Sequence, residues 1–182
     1  MTATYKQLTD YLVGIGLDKI DHTEKSYLAH VVGVYSDLKA WGCDEAVCRG
    51  GMFHSIYGTE VFQGFKLPLE KRKEIAELTG ERAERLAYWN CAMDRSSFDA
   101  AVGRDEPPFW MRDRLTDERV DFSEQEFENL CRIHLCDWLE QVPRSKMWDY
   151  RPETFRIMAQ RLGGAANESF EEVFSTGNSE SS

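Results

Sequence analysis

The chain has 182 residues and a formal net charge of −10, with 42% hydrophobic and 12% aromatic residues. This length and composition are typical of one globular domain with a full hydrophobic core, and they exclude a disordered chain. The acidic balance argues against binding to nucleic acid or to an anionic membrane surface, so the expected partner is a small molecule or another protein.

The sequence also bears on the compartment. Residues 1–21 lack a basic start followed by an apolar run, and no apolar stretch reaches the ~20 residues that span a bilayer. The odd set of five cysteines has no CxxC spacing, which is typical of reduced and mostly buried thiols. A cysteine nucleophile is the less favoured alternative. We therefore expect a cytoplasmic protein with no membrane span.

Helical periodicity dominates the first third of the chain. Apolar residues recur at steps of three and four over 4–14 and 24–41, which predicts two amphipathic helices. Asp44 is a good N-cap for a shorter helix through "EAVCRGGMFHSIY". Within it, Gly50 and Gly51 would let a neighbouring helix approach closely. The next segment, "GTEVFQGFKLP", contains two glycines and a proline and is predicted to be a loop.

The middle of the chain continues the helical pattern and then breaks it. Further helices are predicted over 69–78, 81–93 and 96–102. Pro107 and Pro108 forbid a helix around them. The region 105–122 is therefore predicted to be an extended lid or a small hairpin.

A long helix is predicted to follow this break. Ser123 and Glu126 form a capping box at its start, and Pro143 is predicted to end it, so the helix should cover 124–142. Two more helices are predicted over 152–162 and 167–175.

The predicted elements together define the fold class. They indicate an all-α fold, with one compact domain of seven to nine helices over residues 1–175. The polar tail, 176–182, is predicted to be disordered.

Four histidines are the candidates for chemistry: His22, His30, His54 and His134. On their predicted helices, His30 and His134 share a face with apolar residues at steps of three and four, so both should point inward. His54 lies near the end of its helix, and His22 precedes the helix of His30. A buried imidazole needs a partner for each nitrogen, and a metal ion is one partner that gathers several imidazoles. Core histidines with ordinary hydrogen bonds are the alternative.

The order of these residues resembles a known pattern. His30 is followed 24 residues later by "FHS" at 53–55, and then by a distant helix that bears Asp137. This order resembles the HD-domain superfamily, an all-helical fold in which a His, a His-Asp pair and a distant Asp ligate metal. The segments "DHTEKSYLAHVVGVYSDLKAWGCDEAVCRGGMFHSIYGTEVFQ" and "GERAERLAYWNCAMDR", within 20–95, look most like a family of small HD-like domains of unassigned function. The resemblance implies an HD-like fold with His30 and His54 as the first two metal ligands and Asp137 as the last.

Ser55 departs from that pattern. It stands where the superfamily has an aspartate that ligates one metal and often bridges two. Because a neutral hydroxyl cannot bridge two cations, we expect a single ion rather than a dinuclear centre. Two or three imidazoles and a carboxylate suit a divalent iron, manganese or zinc ion. The candidate ligands are His30 and His54 with one or two of His22, His134, Asp137 and Glu60.

Two residues of the predicted loop region are candidates for catalytic roles. Glu60 follows "YGT" and would act as a general base near the site, or only as an acid at a helix start. Tyr57 would donate a hydrogen bond to an oxyanion, or only pack in the core.

These observations predict a metal-dependent enzyme that acts on a small polar metabolite. The resemblance favours a hydrolase, and a non-haem iron oxygenase or a lyase is the alternative enzyme class. A metal-free binding or scaffold protein that kept the fold is the third hypothesis. Five tryptophans, which suit a core or an interface equally, leave a monomer and a homodimer both open.

Overall fold

The computed structural model describes residues 2–179. Within this range the chain forms nine α-helices, which confirms the predicted all-α class. The helices are α1 (Tyr5–Gly14), α2 (Tyr27–Ala40), α3 (Glu45–Met52), α4 (Arg72–Thr79), α5 (Glu81–Ala92), α6 (Arg95–Val102), α7 (Glu124–Ser145), α8 (Pro152–Leu162) and α9 (Gly164–Ser179). Among the described residues, each helix is too short or too polar to cross a bilayer.

Two small antiparallel hairpins interrupt the helices. Strands β3 (Phe109–Arg112) and β4 (Arg119–Phe122) pair with Phe109 opposite Phe122, which confirms the hairpin alternative for 105–122. Strands β1 (Asp21–His22) and β2 (Lys25–Ser26) form the other hairpin, which the sequence did not predict.

The first hairpin corrects the predicted start of α2. Thr23 and Glu24 both have positive φ, as a two-residue hairpin turn of type I′ requires, so the chain cannot be helical there. The helix begins at Tyr27, after Ser26 accepts a hydrogen bond from the Ala29 amide and caps it. Residues 24–26 are therefore hairpin and cap, not helix.

The long helix α7 lies between two hydrophobic clusters. Its Ile133 and Cys136 pack into a cluster built mainly by α1–α5. Its Phe127, Leu130 and Leu135 pack into a second cluster with α6, α8, α9 and the β3–β4 hairpin. Because α7 contributes to both clusters, it fixes how the two groups of helices meet.

The ends of α7 give one confirmed prediction and one correction. At its start, the capping box of Ser123 and Glu126 is present as predicted. At its end, the helix continues past Pro143 to Ser145. A proline removes the hydrogen bond to the carbonyl four residues earlier, and only one such bond is lost so close to the end of the helix.

The last helix also differs from its predicted limits. It covers Gly164–Ser179, so it begins before the predicted 167 and continues through residues assigned to a disordered tail. The rest of that predicted tail, 180–182, lies outside the described residues.

The glycine pair in α3 permits the close approach that the sequence predicted. A Cβ on Gly50 would lie 3.0 Å from Leu86 Cβ and 3.2 Å from Ala83 O. A Cβ on Gly51 would lie 2.2 Å from Leu38 Cδ1. The pair therefore lets α2 and α5 pack directly against the backbone of α3.

We predict that Gly51→Ala destabilises the protein by about 1–3 kcal/mol, because the new methyl group overpacks against Leu38. Urea unfolding measures the free energy. Gly14→Ala is the matched control, since its Cβ would meet nothing within 4 Å and a helical alanine is favoured over glycine. Equal stability of the two variants would contradict the close packing described here.

Candidate metal centre

Three buried side chains from separate parts of the chain converge at one point. His30 comes from α2, His54 lies just beyond the end of α3, and Asp137 comes from the middle of α7. Each offers a ligand atom, and these atoms all lie within 4.8 Å of one another. This His-His-Asp group could hold a metal ion.

The hydrogen bonds of His54 determine which nitrogen faces the group. Its Nδ1 lies 2.7 Å from the carbonyl oxygen of Gly51. A carbonyl only accepts hydrogen bonds, so Nδ1 carries a proton and Nε2 is the nitrogen that faces the group. That Nε2 lies 3.2 Å from Asp137 Oδ1 and 3.2 Å from the Ser55 hydroxyl.

The same arrangement recurs at His30. Its Nδ1 is hydrogen-bonded to a carboxylate oxygen of Glu140, so Nδ1 again carries the proton. Its Nε2 is fully buried and lies 3.1 Å from Asp137 Oδ1, without the geometry of a hydrogen bond. An imidazole that donates one N–H to a carboxylate while its other nitrogen points at a site is the usual arrangement of a metal-ligating histidine.

Glu140 is held in place by several groups. Besides His30, its carboxylate binds Lys25 from the first hairpin and Arg144, 2.8 Å away on the next turn of α7. A Cβ on Gly33 would lie 2.9 Å from Glu140 Oε1, so a glycine is required where the Glu140 side chain crosses α2. The two cations and the glycine together fix the carboxylate that orients His30.

The group needs a cation at its centre. Two imidazole lone pairs and a carboxylate oxygen repel one another unless a proton or a metal ion lies between them. Burial would raise the pKa of Asp137, but His54 and His30 outweigh it and hold that pKa well below its usual range. Burial would lower the pKa of His30, but Asp137 and Glu140 outweigh it and raise that pKa. Without metal, the proton therefore resides on His30.

Ser55 is buried beside the group and takes part in a chain of hydroxyl contacts. Its Oγ is hydrogen-bonded to the Tyr27 hydroxyl and faces His54 Nε2. Burial raises the pKa of Tyr27, so the phenol stays protonated and can donate. Ser55 therefore offers a neutral hydroxyl beside the group of three.

His22 lies beside the centre but outside the group of three. Its ring stacks on His30 with centroids 4.4 Å apart and an interplanar angle of 13°. Its Nδ1 lies 3.0 Å from the Thr23 hydroxyl. Burial, followed by the charge of His30, lowers the pKa of His22 to about 4, so its ring is neutral at pH 7. His22, also a predicted ligand, therefore lies next to the group of three and is not part of it.

His134 points inward as predicted, but its nitrogens have partners elsewhere. Its Nε2 accepts a hydrogen bond from Arg151 at 3.0 Å, and its Nδ1 donates to Asn90 Oδ1 at 3.2 Å. Arg151 in turn is paired with Asp99. Burial and then Arg151 hold the pKa of His134 well below its ordinary value. The interpretation of His134 as a ligand is therefore corrected: it belongs to a neutral hydrogen-bonded network.

Glu60 and Tyr57 do not have the predicted catalytic positions. Glu60 is exposed, and its carboxylate accepts a hydrogen bond at 2.9 Å from the Arg95 amide, so it is the acid at a helix start that the sequence offered as the alternative. The Tyr57 hydroxyl donates to Glu84 at 3.0 Å, and Glu84 is paired with Arg72. Neither side chain lines the cavity beside the histidines.

A cavity of about 100 Å³ lies next to the group and opens to solvent. His54 and Asp137 contribute to its wall, and His22 lies at the same wall. A ligand in this cavity would therefore contact two of the three side chains of the candidate centre, His54 and Asp137.

The sequence interpretation missed Glu140. Its position three residues after Asp137 places the two carboxylates on the same face of α7, and that spacing was the available signal. Glu140 was overlooked because its partners, His30 and Lys25, are more than 100 residues away in the sequence.

Comparison with known proteins adds a partial family match. A family model described as a domain of unknown function (DUF6817) matches residues 11–95, which is less than half of the chain. The matched segment contains His22, His30 and His54 and ends before Asp137. No curated protein and no solved structure matches the chain. The resemblance to HD domains stays a prediction from the motif.

We predict that neutral His134 makes the protein less stable in acid. Its folded pKa lies well below the unfolded value of about 6.5, so its contribution is present above about pH 6.5 and is lost as the pH falls below it. Urea unfolding of the parent and of His134→Gln from pH 7.5 to pH 5.0 measures this. The stability difference between them should shrink by up to about 1.4 kcal/mol per pH unit below pH 6.5. A constant difference would contradict a neutral His134.

Proposed function

We propose that this protein is a metal-dependent enzyme that acts on a small polar metabolite, with one divalent iron, manganese or zinc ion held by His30, His54 and Asp137. One observation carries the proposal: the Nε2 atoms of two buried imidazoles face the same carboxylate oxygen, beside a cavity that opens to solvent. A purely structural network would more simply give each nitrogen a hydrogen-bond partner.

The residues present fit such an ion. Two imidazoles and one carboxylate are the protein ligands of many catalytic zinc and non-haem iron sites. The Nδ1 atoms of His30 and His54 are already occupied by Glu140 and by the Gly51 carbonyl, so both Nε2 atoms are oriented toward the site. His30 Nε2 is a buried polar atom without a hydrogen bond, as is expected of a nitrogen that ligates a metal ion.

A single ion suits this chain better than a pair. A second ion would need a bridging carboxylate, and the position that would supply one is occupied by Ser55. The Ser55 hydroxyl is already hydrogen-bonded to Tyr27 and lies at hydrogen-bonding distance from His54.

In the proposed enzyme, the ion and the protein side chains have different roles. A bound divalent ion supplies Lewis acidity, which lowers the pKa of a water molecule to about 7. His22, neutral and at the cavity wall, offers a ring nitrogen for a hydrogen bond to a ligand there. Gln141 Nε2 donates to Asp137 Oδ1 at 2.9 Å and restrains the carboxylate. Hydrolysis is the reaction that the superfamily resemblance favours.

The ligand set also supports a second reaction class. Two histidines and one carboxylate with open positions form the facial triad of non-haem iron oxygenases. An oxygenase, or a lyase on the same scaffold, is therefore the alternative proposal. A metal-free binding protein, in which the proton on His30 replaces the ion, is the third.

We predict near-stoichiometric iron, manganese or zinc in protein purified without added metal or chelator, and its loss in the His30→Ala/His54→Ala double variant. Elemental analysis measures the metal, and circular dichroism checks that the variant is folded. His134→Ala is the matched control, because it removes a buried histidine outside the group and should keep the metal.

The identity of the metal selects the reaction to test. Iron with oxygen-dependent turnover would favour the oxygenase, whereas zinc would favour hydrolysis. Absence of metal from the parent, even after reconstitution with each of the three ions, would exclude the metalloenzyme and leave the binding protein.

We also predict that Glu140→Gln lowers metal affinity by about 10–100-fold, because the amide no longer fixes the orientation and basicity of His30. Competition with a chromophoric chelator measures the affinity. Glu128→Gln is the control, since Glu128 lies on the same helix, pairs with Arg132 and is outside the group of three. Equal affinities of the two variants would show that Glu140 has no role at the centre.

A further inference from the structure

Arg95 is a cation at the cavity wall, and its guanidinium has no acidic partner among residues 2–179. It is the first residue of α6, and its side chain lines the same cavity as His54 and Asp137. Its guanidinium is hydrogen-bonded to the Tyr150 hydroxyl, and within the described part of the chain no carboxylate lies within ion-pair distance of it. Glu60 binds the backbone amide of Arg95 and not its guanidinium.

Arg95 differs from the nearby Arg151 in its acidic partners. Arg151, the neighbouring cation, is neutralised by a two-pronged contact with Asp99. Arg95 lies close enough to His134 to help lower the pKa of that imidazole. In a chain with a net charge of −10, a partly buried guanidinium without a carboxylate is available to an anionic ligand.

Part of the cavity wall is apolar, although polar side chains also line it. Phe62, Trp138 and Phe155 contribute aromatic rings to its wall. Two further lining residues, Val61 and Met147, are 63% and 54% exposed, which is unusual for large apolar side chains. The cavity therefore offers the guanidinium of Arg95 and an apolar portion of wall and rim, beside polar side chains that include Asp137.

We propose that this cavity binds a small monocarboxylic acid with an apolar body, and that such an acid is the substrate class of the enzyme. The carboxylate is held by Arg95 through charge-assisted hydrogen bonds, and the apolar body lies against Phe62 and Trp138. This inference rests on the proposed function only in calling the ligand a substrate.

The volume of the cavity and the charge of Arg95 further define the class of acid that would bind. An apolar cavity of about 150 Å³ holds benzene. The present cavity has a volume of about 100 Å³ and opens to solvent. It therefore suits an apolar body of roughly four to six carbon atoms, no larger than benzene. One uncompensated guanidinium matches one negative charge, which favours a carboxylate over a phosphate dianion.

The test compares acids with their neutral amides. Binding of isovalerate, isovaleramide, benzoate, benzamide and inorganic phosphate is measured by ligand-detected NMR and calorimetry, with the protein as purified and after treatment with a chelator. The variants are Arg95→Gln and Arg95→Lys. Arg82→Gln is the matched control, because Arg82 lies outside the cavity and pairs with Asp44 at 2.8 Å.

We expect each acid that binds to do so at least about ten-fold more tightly than its amide, since a charge-assisted hydrogen bond contributes about 1.5–3 kcal/mol. Arg95→Gln should reduce acid binding to the level of the amide, Arg95→Lys should retain part of it, and Arg82→Gln should leave it unchanged. Equal binding of acid and amide, tighter binding of phosphate, no effect of Arg95→Gln, or no binding of any acid would overturn the proposal.

The chelator separates this proposal from the metal centre. Acid binding that depends on Arg95 and survives metal removal would support the anion site, even if the protein proves to hold no metal. Acid binding that disappears with the metal and ignores Arg95 would overturn the anion site and leave the metalloenzyme intact.

Discussion

The shared carboxylate oxygen of Asp137 is the contact on which the arrangement of this protein depends. It lies within 3.2 Å of His30 on α2 and of His54 after α3, and it belongs to a helix that packs against both hydrophobic clusters. A buried carboxylate is stable only where opposite charge and hydrogen bonds compensate for lost hydration. The position of α7 against α2 and α3 therefore determines both the packing of the core and the geometry of the centre.

A second carboxylate extends this constraint to the protein surface. Glu140 connects His30 to Lys25, which lies in the first hairpin, and to Arg144, whose Nε donates to the carbonyl of Thr23 at 2.9 Å. The hairpin thus lies next to the centre because Lys25 binds Glu140 and the Thr23 carbonyl binds Arg144. It also carries His22, which reaches the cavity wall for the same reason.

The histidines show how partners decide the role of one residue type. His30 lies between two carboxylates, which raise its pKa, whereas His134 accepts a hydrogen bond from Arg151 and has a lowered pKa. Both are buried and both lie on inward helix faces. The sign of the neighbouring charge, and not burial, separates a candidate ligand from a structural imidazole.

The charges around Arg95 also set it apart, because it is a cation without a carboxylate partner among the described residues.

The sequence by itself determined what depends on neighbours along the chain. Helix periodicity, the Asp44 and Ser123 caps, the 105–122 hairpin and the inward face of His30 all follow from residues within a few turns of one another. The choice of His30, His54 and Asp137 also required the family resemblance. Only the tertiary structure decided the partners of Glu140, His134 and Tyr57, because those contacts join segments 27 to 115 residues apart. Local patterns predict which way a side chain points, but they carry no information about what the packing brings opposite to it.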